Sequence, residues 1–242
     1  MAKMPKLDIH LVSLTAPASF AAEQYQGLRL TVERLARSRD MKVKVIAISS
    51  PAAGDGKTVT AINLAGALAR GGDGRVLLID ADLRRPSVAR QLALTEVRRG
   101  LADALTDAGT PVADVVHSMK EFNLDVIPAG TVRTGISQIL RSPRLDAFIQ
   151  EARQRYAYIV LDTPPLLPVF DSALLAKSVD GVLMVVSANQ TPRKLLGEAL
   201  NMLDASKVLG IVFNRDERPL FGYYNSYYRE YFPDVSQAAS GA

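Results

Sequence analysis

The residues best placed to do chemistry begin with Lys57-Thr58, which close a loop of small residues, PAAGDGKT, at positions 51–58. Such a loop turns several backbone N–H groups toward one anion, and a helix starting at its end adds partial positive charge. Ala53, Gly54, Asp55, Gly56 and Val59 would form the cradle with Lys57 and Thr58. Lys57 would reach the β- and γ-phosphates of a nucleotide and the Thr58 hydroxyl would ligate Mg²⁺. The strict pattern GxxxxGK[ST] asks for glycine at 51, where this chain has Pro51, so only the second half of the motif matches. Phosphoryl transfer also needs carboxylates for the metal and the nucleophile. Asp162 ends the apolar run Ile159-Val160-Leu161 and is followed by Thr163-Pro164-Pro165, which force the chain out of any sheet. Asp80 and Asp82 follow a second apolar run, with Arg84 and Arg85 just beyond. Two neighbouring carboxylates destabilise each other unless a cation lies between them. One could complete a Mg²⁺ shell while the other accepts a hydroxyl proton. A self-neutralised turn of Asp-Arg pairs fits the same spacing.

Strands and helices must bring these groups together. Val43 to Ile48, Arg75 to Ile79, Leu124 to Ile127, Tyr158 to Leu161, Val182 to Val186 and Val208 to Phe213 read as strands, each apolar nearly throughout. Helical patterns fall between them. Ser19 to Arg37 carries Phe20, Leu28, Val32 and Leu35 on one stripe, and Lys57 to Arg70 has small Ala61, Ala65 and Ala69 for close packing. Short helices are predicted over Pro86 to His117. Ser142-Pro143 caps a helix bearing Leu145, Phe148, Ile149 and Ala152, and Thr191-Pro192 caps one bearing Leu195, Leu196, Ala199, Leu200 and Leu203. Residues 1–16 read as a loosely held arm. Buried strands alternating with helices call for an α/β fold, a mostly parallel central sheet with helices on both faces. Ligands bind such sheets at the carboxyl ends of the strands. Asp80, Asp162 and Asn214 all fall there.

Composition narrows the classes. The 242 residues are 48% hydrophobic and 22% charged, enough for one globular domain with a large core. Cysteine is absent and the two histidines, His10 and His117, are far apart, which excludes disulfides and thiolate zinc sites. The net charge of +4 is spread among acids without a basic stripe, so nucleic acid is not an expected partner. No apolar run approaches the roughly 18–20 residues of a membrane span, and no signal peptide opens the chain, which predicts a cytoplasmic protein. The end differs in kind. Phe221 to Phe232 reads FGYYNSYYREYF and holds five of eight tyrosines: Tyr223, Tyr224, Tyr227, Tyr228 and Tyr231. A domain over 1–220, with an N-terminal helix at about 19–37, and a flexible tail over 221–242 are expected.

The series formed by the phosphate loop, LLIDADLRRP, IVLDTPP and the tyrosine cluster resembles the bacterial tyrosine kinases of capsule and exopolysaccharide synthesis. Asp80, Asp82 and Arg84 match that family's second Walker motif, DxDxR. The likeness runs from Glu23 to Tyr231. It implies a three-layer P-loop NTPase fold like MinD and ParA, with ATP and Mg²⁺ as cofactors. Lys57, Asp80, Asp82 and Asp162 would be catalytic, with Thr58, Asp80, Asp82 and Asp162 around the metal and Asp82 as base. Arg84 would bind the cofactor and Asn214 would face the adenine. The tail tyrosines would be acceptors, modified in trans within a homo-oligomer. A chain of this kind resembles the family's split type, which sits at the inner face of the membrane through a transmembrane polysaccharide co-polymerase that activates it. A protein-tyrosine phosphatase is a further implied partner.

Two departures stand out. The family's ring-forming ExxRxxR is here Glu23, Gln26 and Arg29, without the central arginine, so Glu23 and Arg29 remain the oligomerisation candidates. The run Asn-Pro-x-Glu-Leu-Leu often found before the Walker B strand is replaced by Gly135 to Leu140. A MinD/ParA-like regulatory ATPase is the alternative, but its signature lysine would stand at Ala52. An ATP-binding oligomeric scaffold with vestigial kinase activity keeps the same acids.

Overall fold

A computed structural model describes residues 7–38, 43–95, 97–107, 109–132, 135–167 and 169–216. Among the described residues, seven strands form one sheet in the order β3-β4-β2-β5-β1-β6-β7. These are β1 (Val45–Ser49), β2 (Val76–Asp80), β3 (His117–Met119), β4 (Leu124–Ile127), β5 (Tyr158–Asp162), β6 (Gly181–Ser187) and β7 (Val208–Asn214). All pairings are parallel except β3 with β4. The three-residue β3 falls in a stretch whose sequence predicts only short helices; three residues are too few to show a period.

Alternation along each strand divides the core into two layers. Val45, Ala47, Leu77, Ile79, Ile159 and Leu161 face one cluster. Helices α5 (Leu101–Thr106), α6 (Ile136–Leu140), α7 (Pro143–Arg155) and α8 (Asp171–Leu175) cover it. Ile46, Ile48, Leu78 and Val160 face the other, covered by α2 (Phe20–Arg37), α3 (Lys57–Gly71) and α4 (Val88–Gln91). A smaller cluster joins Met184 and Val186 of β6 to α9 (Arg193–Leu200). The three-layer α/β expectation holds, with two local differences. The edge strand β7 leaves Ile211 40% and Phe213 63% exposed. Leu203 lies in the turn beyond α9 rather than on the helix.

Local chemistry sets the helix boundaries. The Ser19 hydroxyl accepts from the Ala22 amide at the start of α2, and Ser142 accepts from Arg144 at the start of α7, whose first residue is Pro143. Basic residues Arg34 and Arg37 lie in the last turn of α2, where they complement the helix dipole. The described part of the N-terminal segment is not a loose arm. Residues Val12–Thr15 form the short α1, Leu11 is fully buried, and the Ser13 amide donates to Asn63 Oδ1 on α3 at 2.9 Å. Asn63 Nδ2 donates to His10 O at 2.9 Å. A buried amide side chain needs partners on both its atoms, and this segment supplies them.

Candidate active site

The phosphate loop leaves β1, which lies between β5 and β6. The registers align Ile48 with Asp162 and Asp162 with Asp80, so the loop and two acids share one level of the carboxyl edge. Gly54 and Gly56 have φ of 95° and 90°, which L side chains rarely adopt. A Cβ on Gly56 would also collide with the Asn214 side chain. Gly56 is the N-cap of α3, so the first amides of that helix have no intrahelical acceptor and point toward the loop.

The polar groups converge around Lys57. Its ammonium donates to Asp82 Oδ2 at 2.9 Å and lies 3.5 Å from Asp162 Oδ1. The Thr58 hydroxyl donates to Asp162 Oδ2 at 2.6 Å and accepts from the Ser87 hydroxyl at 3.1 Å. Asp80 is held from the far side, its Oδ2 accepting the amides of Ser87 and Val88, each at 3.0 Å. Asp82 Oδ1 accepts the Arg85 amide at 3.0 Å. All three acids are buried.

Burial and mutual repulsion perturb these groups. Asp80 is pushed up to about 7, first by burial and then by the Asp162 charge, against the Val88 and Ser87 hydrogen bonds. Asp162 is pushed up to about 6 chiefly by burial, against the Lys57 charge and the Thr58 hydroxyl. Burial pulls Lys57 down, but the charges of Asp162 and Asp82 outweigh it and hold the ammonium above its usual range. Such an acid-rich, buried cluster calls for a cation.

The residues fit MgATP. Asp162 Oδ1 is buried with no hydrogen bond and only the Lys57 ammonium 3.5 Å away, so it can take a cation beside the Thr58 hydroxyl. Among the described residues, no three acidic, histidine or cysteine side chains form a ready-made metal cage. Mg²⁺ does not need one, since it takes one or two carboxylates plus waters and substrate phosphates.

The remaining expected residues have partners of their own. The Arg84 guanidinium grips Asp171 at the start of α8, donating through Nε at 2.5 Å and Nη2 at 3.3 Å. Ser137 Oγ of α6 donates to the same carboxylate at 3.2 Å. The self-neutralised turn that the sequence allowed is not what Arg84 makes: its partner is Asp171, 87 positions away, and Asp82 pairs with Lys57 instead. Asn214 Nδ2 donates to the Asp55 carbonyl at 3.0 Å. Thr191 does not cap α9 with its side chain; its hydroxyl donates to Asp55 Oδ1. On α2, Glu23 is exposed, whereas Arg29 donates to Gln26 Oε1 at 2.8 Å and Glu33 Oε1 at 2.7 Å. The tail tyrosines lie outside the described residues. Sequence reasoning missed Ser87, Asp171 and Thr191. Only the Ser87 position, just after the Arg-Arg-Pro that ends the second motif, carried a local hint.

Fold and site together define a P-loop nucleotide-binding domain, and the chain matches the AAA_31 family, described as an AAA domain, over residues 43–207. It is 32% identical over 226 residues to the tyrosine-protein kinase YwqD of Bacillus subtilis, covering 91% of this chain and 93% of that one. The chain belongs to the bacterial tyrosine-protein kinases. It is also 33% identical over 230 residues to the succinoglycan biosynthesis transport protein ExoP of Rhizobium meliloti, covering 93% of this chain but 28% of ExoP. The kinase domain of the Escherichia coli tyrosine kinase ETK superposes with a TM-score of 0.79 at 25% identity, over 91% of this chain and 87% of that one. MinD of Pyrococcus horikoshii shares the fold at a TM-score of 0.58 and 20% identity, over 78% of this chain and 77% of that one.

Proposed function

We propose that the chain is an ATP-dependent protein-tyrosine autokinase. It passes the γ-phosphate of MgATP to Tyr223, Tyr224, Tyr227, Tyr228 and Tyr231 of a neighbouring subunit, and so regulates exopolysaccharide or capsule synthesis and export. The observation that carries this reading is the convergence of Lys57, Thr58, Asp82 and Asp162 at one loop, in a chain of the tyrosine kinase family. The backbone of Ala53 to Val59 cradles the phosphates, and Lys57 turns from Asp82 to the β- and γ-phosphates. Thr58 and Asp162 hold the metal, with Asp80 behind them. Mg²⁺, when bound, neutralises the charge developing on the transferred group. Asp82 Oδ2, released by Lys57, accepts the phenol proton of the incoming tyrosine. Arg84 keeps the loop carrying Asp82 in place through Asp171, and Asn214 bounds the nucleoside side.

No helix among the described residues is long and apolar enough to cross a membrane. The matches to 93% of the kinase YwqD and to 28% of the transport protein ExoP support a kinase that works at the inner membrane face with a polysaccharide co-polymerase as activator. A tyrosine phosphatase would reset it. Exposed Glu23 and the neighbouring face of α2 are the proposed subunit contact, Arg29 contributing by fixing the helix surface.

Site-mapping mass spectrometry after incubation with Mg·ATP and the activator tests the reading. Wild-type protein is expected to gain phosphate within 223–231 and Lys57→Met to gain none. Absence of tyrosine phosphate in the presence of a proven activator refutes it. ATP-dependent dimerisation with hydrolysis alone would point to a MinD-like regulator.

A further inference from the structure

Asp55 is an unexpected residue for a phosphate cradle. Its carboxylate is buried two positions before Lys57, where its charge repels the anion the loop must hold. Every bond it makes runs along or away from the loop. Oδ2 accepts the Ala52 amide at 3.1 Å. Oδ1 accepts the Thr191 hydroxyl at 2.5 Å and the Ser187 amide at 3.4 Å. The Ser187 amide also donates to Thr191 Oγ1 at 2.9 Å, and the Asp55 carbonyl accepts Asn214 Nδ2.

The sheet order says what lies there. The acids that draw the phosphates and metal belong to β5 and β2, on one side of β1. With the loop read as an ATP site, the nucleoside extends the other way, over β6 and β7, whose ends carry Ser187 and Asn214, with Thr191 in the turn after β6. Asp55 thus ties the phosphate loop to the elements under the nucleoside. Between Gly54 and Gly56, both at positive φ, the loop has little stiffness of its own.

We propose that Asp55 is a positioning residue, a latch to Thr191 and Asn214 that holds the phosphate loop in its binding shape and so sets nucleotide affinity. This rests on reading the loop as an ATP site. A carboxylate is required because acceptors are needed on both sides of the group; an amide offers an oxygen to one side only. Pre-organising the loop lowers the cost of ordering it on binding.

Equilibrium binding of ATP to the full chain, read by calorimetry, tests the latch, because removal of charge and removal of the latch predict opposite signs. Asp55→Asn is expected to weaken ATP binding about tenfold, whereas repulsion alone would make it tighter. Thr191→Val is expected to weaken it similarly and Thr191→Ser to stay within about twofold, since only the hydroxyl is needed. The double variant Asp55→Asn/Thr191→Val should be no worse than either single one. In phosphorylation assays KM for ATP should rise while kcat at saturation changes less than about twofold. Unchanged or tighter binding by Asp55→Asn, or Thr191→Val behaving as Thr191→Ser, overturns the latch. Should Asp55→Asn fail to fold, the Thr191 pair decides alone. Failure of wild-type protein to bind ATP would remove the nucleotide reading itself.

Discussion

Replacing Arg84 by alanine removes the main partner of a buried charge. The Asp171 side chain is 1% exposed, and that of Arg84 is 41% exposed. Arg84 gives the carboxylate two hydrogen bonds and Ser137 gives one. Breaking a fully buried pair from one side costs about 3–5 kcal/mol. The guanidinium is partly solvated here, and water can follow it into the gap, so about 2–3 kcal/mol is expected for Arg84→Ala. For a domain of this size that lowers Tm by about 5–10 °C. Asp171→Asn keeps the shape and can keep the Ser137 bond, so it should cost about 1–2 kcal/mol. With the charge gone, Arg84 has less to lose. The double variant should then fall short of the sum of the singles by about 1–2 kcal/mol. Urea unfolding followed by circular dichroism, with the four proteins at one pH, closes the cycle. Additive effects, or an Arg84→Ala protein as stable as wild type that has lost ATP binding, would refute the anchoring role and assign Arg84 to the phosphates.

Two further outcomes follow from the geometry. Asp80, pushed up to about 7, and Asp162, pushed up to about 6, bind protons more readily in the folded chain than at the ordinary 3.8. Between about pH 4 and 7 the native state therefore holds more protons than the unfolded one, and stability from these groups falls as pH rises. Thermal scans without metal or nucleotide should show Tm dropping from pH 5 to 7.5, with a shallower drop in Asp80→Asn; equal slopes in the two proteins would contradict this. Leu11→Ala should cost about 2–4 kcal/mol in urea unfolding, since Leu11 is fully buried. A value below about 0.5 kcal/mol would restore the loose arm.

The amino-acid sequence by itself determined the α/β class and six of the seven described strands to within a residue or two, missing β3, and it singled out Lys57, Thr58, Asp80, Asp82 and Asp162 as candidates. Those inferences rest on signals local in the chain: continuous apolar runs, small-residue loops, and acids at strand ends. What the tertiary structure decided concerns partners distant in sequence. Arg84 and Asp171, Asp55 and Thr191, and Thr58 and Asp162 stand 87, 136 and 104 positions apart. Nothing in a periodic pattern encodes such pairings; they follow from strand order, which places β5 beside β1 and β2 and places β6 and β7 on the other side. The same holds for the N-terminal segment, whose few apolar residues show no period and whose order comes from Asn63 across the interface. Periodicity reports which face of an element is buried. Only assembly of the sheet says which buried group meets which, because a hydrogen bond depends on ångströms between atoms and not on spacing along the chain.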